Sequence, residues 1–251
     1  MSESFHLRNP PVVEAVIEIE CDTPPERDFA SLEEAAKAHY LSGYPKFTPT
    51  FEQLHEISGA ADGSLSTSMK RTLDAFRFFR EDGKQLVQVR RRGFTFNQLA
   101  PYPGLNAFRA DVEEAWRAYL EIAAPRRITK IQLRYINRIL LPLSPNGQLD
   151  LDEYLRRGPR LADEDRLTFV GFLSQYAALD RESGHLVVTV LTTQPPEDGR
   201  ITLIFDNSAI DTSPPDPTDW PAILGRIHSL RGLKNHVFRR TLTDKCLSLF
   251  Q

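Results

Sequence analysis

The stretch IQLRYINRILLP, residues 131–142, decides the fold. Its apolar residues recur at a period of two, which reads as a β-strand. One face carries Ile131, Leu133, Tyr135, Asn137, Ile139 and Leu141; the other carries Gln132, Arg134, Ile136, Arg138 and Leu140. The first face is expected to lie under helices, whereas the second is mixed. Arg134 and Arg138 share that second face, about 13–14 Å apart at ~3.3–3.4 Å per residue. Neither guanidinium can be buried without a carboxylate or a ligand.

Working outward, the chain on either side of this strand reads as the same unit twice. REDGKQLVQV (80–89) parallels RESGHLVVTV (181–190), FTFNQ (94–98) parallels LIFDN (203–207), and Trp116 parallels Trp220. The offsets are 101 at Gly83/Gly184, 109 at Phe96/Phe205 and 104 at the tryptophans, a spread that loop insertions produce. The first unit has an alternating strand at 12–21 and a helix at 28–42, with Ser31 and Glu34 at capping-box spacing. Strands follow near 51–59, 75–81 and 84–99, the last kinked at Gly93. A helix at 107–123, capped by Asn106, closes the unit. The second unit has the quoted strand, a short helix at 150–157 and strands near 167–179, 185–193 and 200–208. Its closing helix, at 220–231, carries Pro221 in the first turn and a cap at Thr218 or Asp219.

The expected fold is therefore α+β: a tandem duplication of a β-α-β-β-β-α unit. Its mostly antiparallel, curved sheet carries the helices on one face. By element order this is like the helix-grip and TATA-binding-protein-like architectures. The halves are 1–126 and 127–251 with its C-terminal tail, expected to form one continuous globular unit.

Composition is that of an ordinary globular chain, with 41% hydrophobic and 26% charged residues. No apolar run reaches the ~20 residues needed to cross a bilayer, and MSESFHLRNPP has no signal-peptide core. Cys21 and Cys246 read as free thiols of a cytoplasmic protein. The net charge of -3 hides an asymmetry. Residues 1–65 hold 4 Lys/Arg against 12 Asp/Glu, while residues 66–140 hold 15 against 7. Such blocks mark either an anionic partner or two surfaces that pair with each other.

Three stretches carry a family resemblance: NPPVVEAVIEIE (9–20), LRYINRILLP (133–142) and FRRTLTD (238–244). With the tryptophan of the helix before the central strand, they resemble a sporadically distributed family of uncharacterised bacterial proteins. The resemblance spans nearly the whole chain and implies no assigned activity. It implies carriage in exchangeable gene clusters, such as defence or specialised biosynthesis.

No GxSxG, Walker, GxGxxG or HExxH motif is present. The six histidines are scattered without metal-ligand spacing, so no metal, cofactor or catalytic residue is assigned. Asp206, Asn207 and Asp211 cluster at an expected strand end, where turn chemistry and a site are both open. The candidate anion-binding residues are Arg77, Arg90, Arg92, Arg134 and Arg138, which together could form one basic sheet face. The alternative is that they pair with Glu14, Glu18 and Glu20. The first functional expectation is a non-enzymatic binding or adaptor protein, engaging a partner protein or a second copy of itself as a homodimer. The second is recognition of nucleic acid or a nucleotide through the basic face. The third is an enzyme working in the groove between sheet and helices.

Overall fold

The computed structural model describes residues 7–24, 28–59, 65–143, 150–163 and 166–251, and the side chains of all of these except 54–59 and 65–68. Residues 1–6 of the stretch read for a leader therefore lie outside the described residues. The fold is α+β. Nine strands form one antiparallel sheet: β1 (Val12–Asp22), β2 (Lys46–Gly59), β3 (Leu65–Phe79), β4 (Gln85–Arg90), β5 (Gly93–Leu99), β6 (Arg127–Pro142), β7 (Leu173–Leu179), β8 (Leu186–Thr193) and β9 (Arg200–Asp211). Their order across the sheet is β2-β3-β4-β5-β1-β6-β9-β8-β7. The helices are α1 (Glu33–Tyr40), α2 (Leu105–Ala123), α3 (Trp220–Thr241) and α4 (Asp244–Ser248).

The quoted strand lies inside β6, at the centre of the sheet between β1 and β9. Its Ile131–Leu141 face is buried throughout. The period of two set that outcome, because a one-residue register slip would turn every apolar side chain out. Ile17 faces Leu133 and Phe96, and Phe96 faces Val87, so one apolar band crosses β6, β1, β5 and β4. The apolar stripes of α2 and α3 cover this band. Phe108, Val112, Trp116 and Tyr119 come from α2; Ile223, Ile227 and Leu230 come from α3. A second cluster lies under the end of α3 and α4. It contains Ile139, Leu141, Leu203, Phe205, Phe238, Cys246 and Phe250.

Several boundaries differ from the sequence reading. The single strand expected at 84–99 is the hairpin β4–β5, with Arg91 and Arg92 in its turn. Gly93 enters β5 at φ 146°, and a Cβ there would lie 2.1 Å from the Ile19 oxygen. Close backbone approach, rather than a kink, is why glycine stands there. The helix expected at 28–42 is a 3-10 turn, Phe29–Leu32, followed by α1. Ser31 does not cap it; its hydroxyl donates to the Asp28 carbonyl at 2.6 Å. Gly104, not Asn106, precedes α2. The helix expected at 150–157 shrinks to a 3-10 turn, Leu151–Glu153, which Asp150 does cap. The closing helix runs ten residues past its expected end, to Thr241, with Asp219 as its cap and Pro221 in its first turn. The two units are thus unequal: the first has four strands after its helix, and the second has three after its 3-10 turn. Gly83 and Gly184 both take the left-handed turn conformation expected of them, at φ 68° and 72°. Trp116 and Trp220 are not equivalent, since one is mid-helix and the other opens its helix.

Candidate functional site

Along β6 the core face reads Tyr135, Asn137, Ile139; along α3 the buried stripe reads Leu230, Lys234, Phe238. The two apolar clusters meet at the polar member of each series. Asn137, Asn207 and Lys234 are 2%, 0% and 5% exposed, so a fully buried polar seam separates the clusters. The Asn207 amide on β9 donates to the Lys234 carbonyl at 3.0 Å, fixing α3 to the sheet at this level. The Asn137 amide donates to the carbonyls of Phe205 at 2.9 Å and Tyr135 at 3.3 Å. Burying such groups costs free energy unless each is bonded, and the Asn207 Oδ1 atom has no partner among the described residues.

A cavity of about 260 Å³ opens at one end of this seam. Pro10 and Pro11, ahead of β1, form one wall, and Tyr102, ahead of α2, forms another. Tyr135 and Asn137 contribute from β6; Arg231 and Lys234 contribute from α3. Three residues apart on a helix, those two cations share a face. Arg8 also lines the cavity, and no Asp or Glu does so among the described residues. The hydroxyls of Tyr102 and Tyr135 touch each other in a short hydrogen bond. Their rings meet edge to face, with centroids 5.2 Å apart.

Lys234 dominates the electrostatics. Its Nζ sits 3.4 Å from the centroid of the Tyr135 ring and has no hydrogen bond or ion pair among the described residues. Burial, and secondarily the Arg231 guanidinium, push its pKa well below the ordinary lysine value. The ring opposes this, since a cation over an aromatic face is favourable by up to ~2 kcal/mol. Removing an ammonium from water costs several kcal/mol, so burial wins. Burial, and then the neighbouring Tyr102, hold the Tyr135 hydroxyl well above the usual phenol range. The pocket thus offers an amine biased toward its neutral form, a guanidinium and a phenol pair that stays protonated.

The five arginines singled out from the sequence are not brought together. Arg134 and Arg138 both leave the open face of β6. Arg134 makes a bidentate pair with Asp206, its Nε 2.9 and 3.0 Å from the two carboxylate oxygens. Arg138 is exposed and has no side-chain partner among the described residues. Arg77 donates to Gln88 at 3.1 Å. Arg90 approaches Glu18 at 3.4 Å and Asp74 at 4.0 Å. Arg77, Arg90 and Arg92 do reach one groove of about 610 Å³. Arg91 joins them, and Glu18, Glu20, Glu52 and Asp74 line it too, so the formal charges cancel. Glu18 and Glu20 also hold Lys130, at 2.9 and 2.7 Å. Asp206 and Asn207 lie within β9 and have pairing roles, whereas Asp211 ends the strand, as expected, and its carboxylate accepts from the Ser213 N–H at 2.8 Å in the turn that follows. Asp211 stands 3.5 Å from Arg226 and 3.9 Å from His185.

Lys234 falls beyond the expected helix end at 231, and Arg231 falls inside that helix without being singled out. The signal was present: continuing the stripe Ile223, Ile227, Leu230 by four residues lands on Lys234, and by eight on Phe238. A lysine at a core position of an amphipathic helix was the flag. Three stretches far apart in sequence, 9–20, 133–142 and 238–244, converge here. Pro10 and Pro11 come from the first, Tyr135 and Asn137 from the second, and Phe238 from the third. The chain matches no protein-family model, and no curated protein matches it. No helix among the described residues is long and apolar enough to cross a membrane.

Proposed function

We propose that this chain is a binding protein for a compact organic anion, held in the pocket between α3, β6 and the segment before α2. One observation carries the reading: two arginines, Arg8 and Arg231, line a cavity whose described walls contain no carboxylate. Uncompensated cations at a concave, partly apolar site are what a carboxylate or phosphate complements. At about 260 Å³ the cavity lies near the small end of ligand pockets. The basic sheet face is the weaker candidate, because Arg77, Arg90 and Arg134 are already matched by amides or carboxylates and the groove that Arg92 lines holds as many carboxylates as arginines. Calorimetric titration with glycolate, lactate and inorganic phosphate tests the reading. Saturable binding, weakened at least tenfold by Arg231→Gln, is expected. Failure of all three to bind would overturn it.

A second reading, the adaptor, is supported by the edge of the sheet. β7, LSQYAAL, carries no charge or proline, and Leu173, Tyr176 and Leu179 are exposed. Natural edges are normally blunted by such residues, so this one suits an added strand from a partner protein. Size measurement of the chain alone and with Leu173→Lys tests it; a monomer that captures no partner speaks against it. On the fold itself, we infer that the two units descend from a duplication. The support is the mirrored order β4-β5-β1 and β8-β9-β6 about the β1–β6 pair. The packing of α2 and α3 on the apolar band of the sheet is the support for reading the architecture as helix-grip.

A further inference from the structure

We propose that Lys234 is an imine-forming nucleophile, and that the ligand of this pocket is a small 2-oxo acid or other carbonyl compound bearing an adjacent carboxylate. The inference deepens the anion-binding reading and rests on it. Lys234 lines the cavity, lacks any carboxylate among the described residues, and is 5% exposed. A lysine in an apolar pocket beside a second cation is the arrangement that keeps an amine unprotonated and nucleophilic. Arg231, one turn back on the same helix face, is placed to hold a carboxylate while Lys234 meets the neighbouring carbonyl carbon. A plain anion site would be served equally by a second arginine. A lysine that burial drives toward the neutral amine is a poorer anion ligand and a better nucleophile.

The chemistry balances without a further reagent. The Nζ lone pair attacks the carbonyl carbon, the C=O π pair moves to oxygen, and a proton passes from nitrogen to that oxygen. Loss of the carbinolamine hydroxyl as water, with one proton taken from solvent, leaves a protonated C=N bond to Lys234. No atom is oxidised or reduced. The face of Tyr135 packs under Nζ, so the carbonyl must approach from the cavity side.

The test uses the full chain with glyoxylate or pyruvate and cyanoborohydride at neutral pH, followed by peptide mapping. The seven lysines of the chain provide the internal comparison. Reductive alkylation at Lys234 is expected to outpace that at exposed Lys46 at least tenfold. It should vanish in Lys234→Met and fall at least tenfold in Arg231→Gln. Equal labelling of all lysines, or none at Lys234, overturns the proposal. Titration with glycolate and lactate, which carry the carboxylate but no carbonyl, separates the two failures. If they bind while Lys234 forms no adduct, the anion site stands and the imine fails. If neither class binds, both fall.

Discussion

Replacing Lys234 by methionine is expected to stabilise the fold. The two side chains have similar length and volume, so the swap leaves little cavity and keeps the stem packed between Leu230 and Phe238. It removes an amine that is 5% exposed and has no carboxylate partner among the described residues. Exchanging even a buried ion pair for apolar side chains of like volume is neutral or stabilising by ~1–4 kcal/mol, and Lys234 has no carboxylate attraction to lose among the described residues. The lost contact with the Tyr135 ring subtracts at most about 2 kcal/mol. At the middle of both ranges a net gain of about 1 kcal/mol follows, or about 2–4 °C in Tm at this chain length. The pH dependence is the sharper readout. The folded pKa of Lys234 is depressed, so below the unfolded value near 10.5 the unfolded chain binds more protons than the folded one. That contribution to wild-type stability is full above about pH 10.5 and is lost as pH falls toward the folded pKa. The advantage of Lys234→Met should therefore shrink as pH rises from 7 to 10. Urea denaturation of both proteins at several pH values measures it. A variant less stable than wild type by 2 kcal/mol or more, with a pH-independent difference, would show that the ammonium is well housed and refute the electrostatic reasoning.

Three further outcomes follow from the geometry. Gly93→Ala should destabilise by about 3 kcal/mol or more, since the new Cβ meets the Ile19 carbonyl oxygen at 2.1 Å and φ is 146°; a loss under 1 kcal/mol in urea denaturation would contradict the close approach. A double-mutant cycle on Arg134→Ala and Asp206→Ala should give a coupling of only ~1 kcal/mol, because the pair is bidentate but the Arg134 side chain is 43% exposed; no coupling would mean that the pair does not persist in solution. Burial pushes both the Cys21 and Cys246 thiols up to about 12. Neither should react with a disulfide reagent at pH 8 in the folded chain, and both should in denaturant. With folded pKa values raised above the unfolded ones, their contribution to stability is intact below about pH 8.5 and fades as pH climbs toward 12. Rapid labelling of either thiol in the native protein would contradict its burial.

What the sequence disclosed and what it hid have the same physical origin. Alternation in β6 and β1 was legible because one face of each strand must be apolar, and the register followed from it. The hairpin at Arg91 and Arg92 was not legible: QLVQVR and FTFNQL both alternate, and the turn between them lacks an Asn-Gly or Asp-Gly pair. What marks the break is long-range: Gly93 lies against Ile19, 74 residues away in sequence, and the Cys21 N–H donates to the Arg92 carbonyl at 2.8 Å. The candidate site was hidden by the same rule that revealed the fold. Apolar periodicity locates a core by rewarding consistency, so a polar residue at a core position reads as the end of the element. The expected helix stops at Arg231, three residues short of Lys234, although the helix continues for seven residues beyond that lysine. An interruption that the tertiary structure tolerates must be offset by partners or retained for chemistry. Arg134 is the first kind, since Asp206 meets it. Among the described residues Lys234 has an aromatic face beneath it, a cavity beside it and no carboxylate, which on our proposal places it in the second.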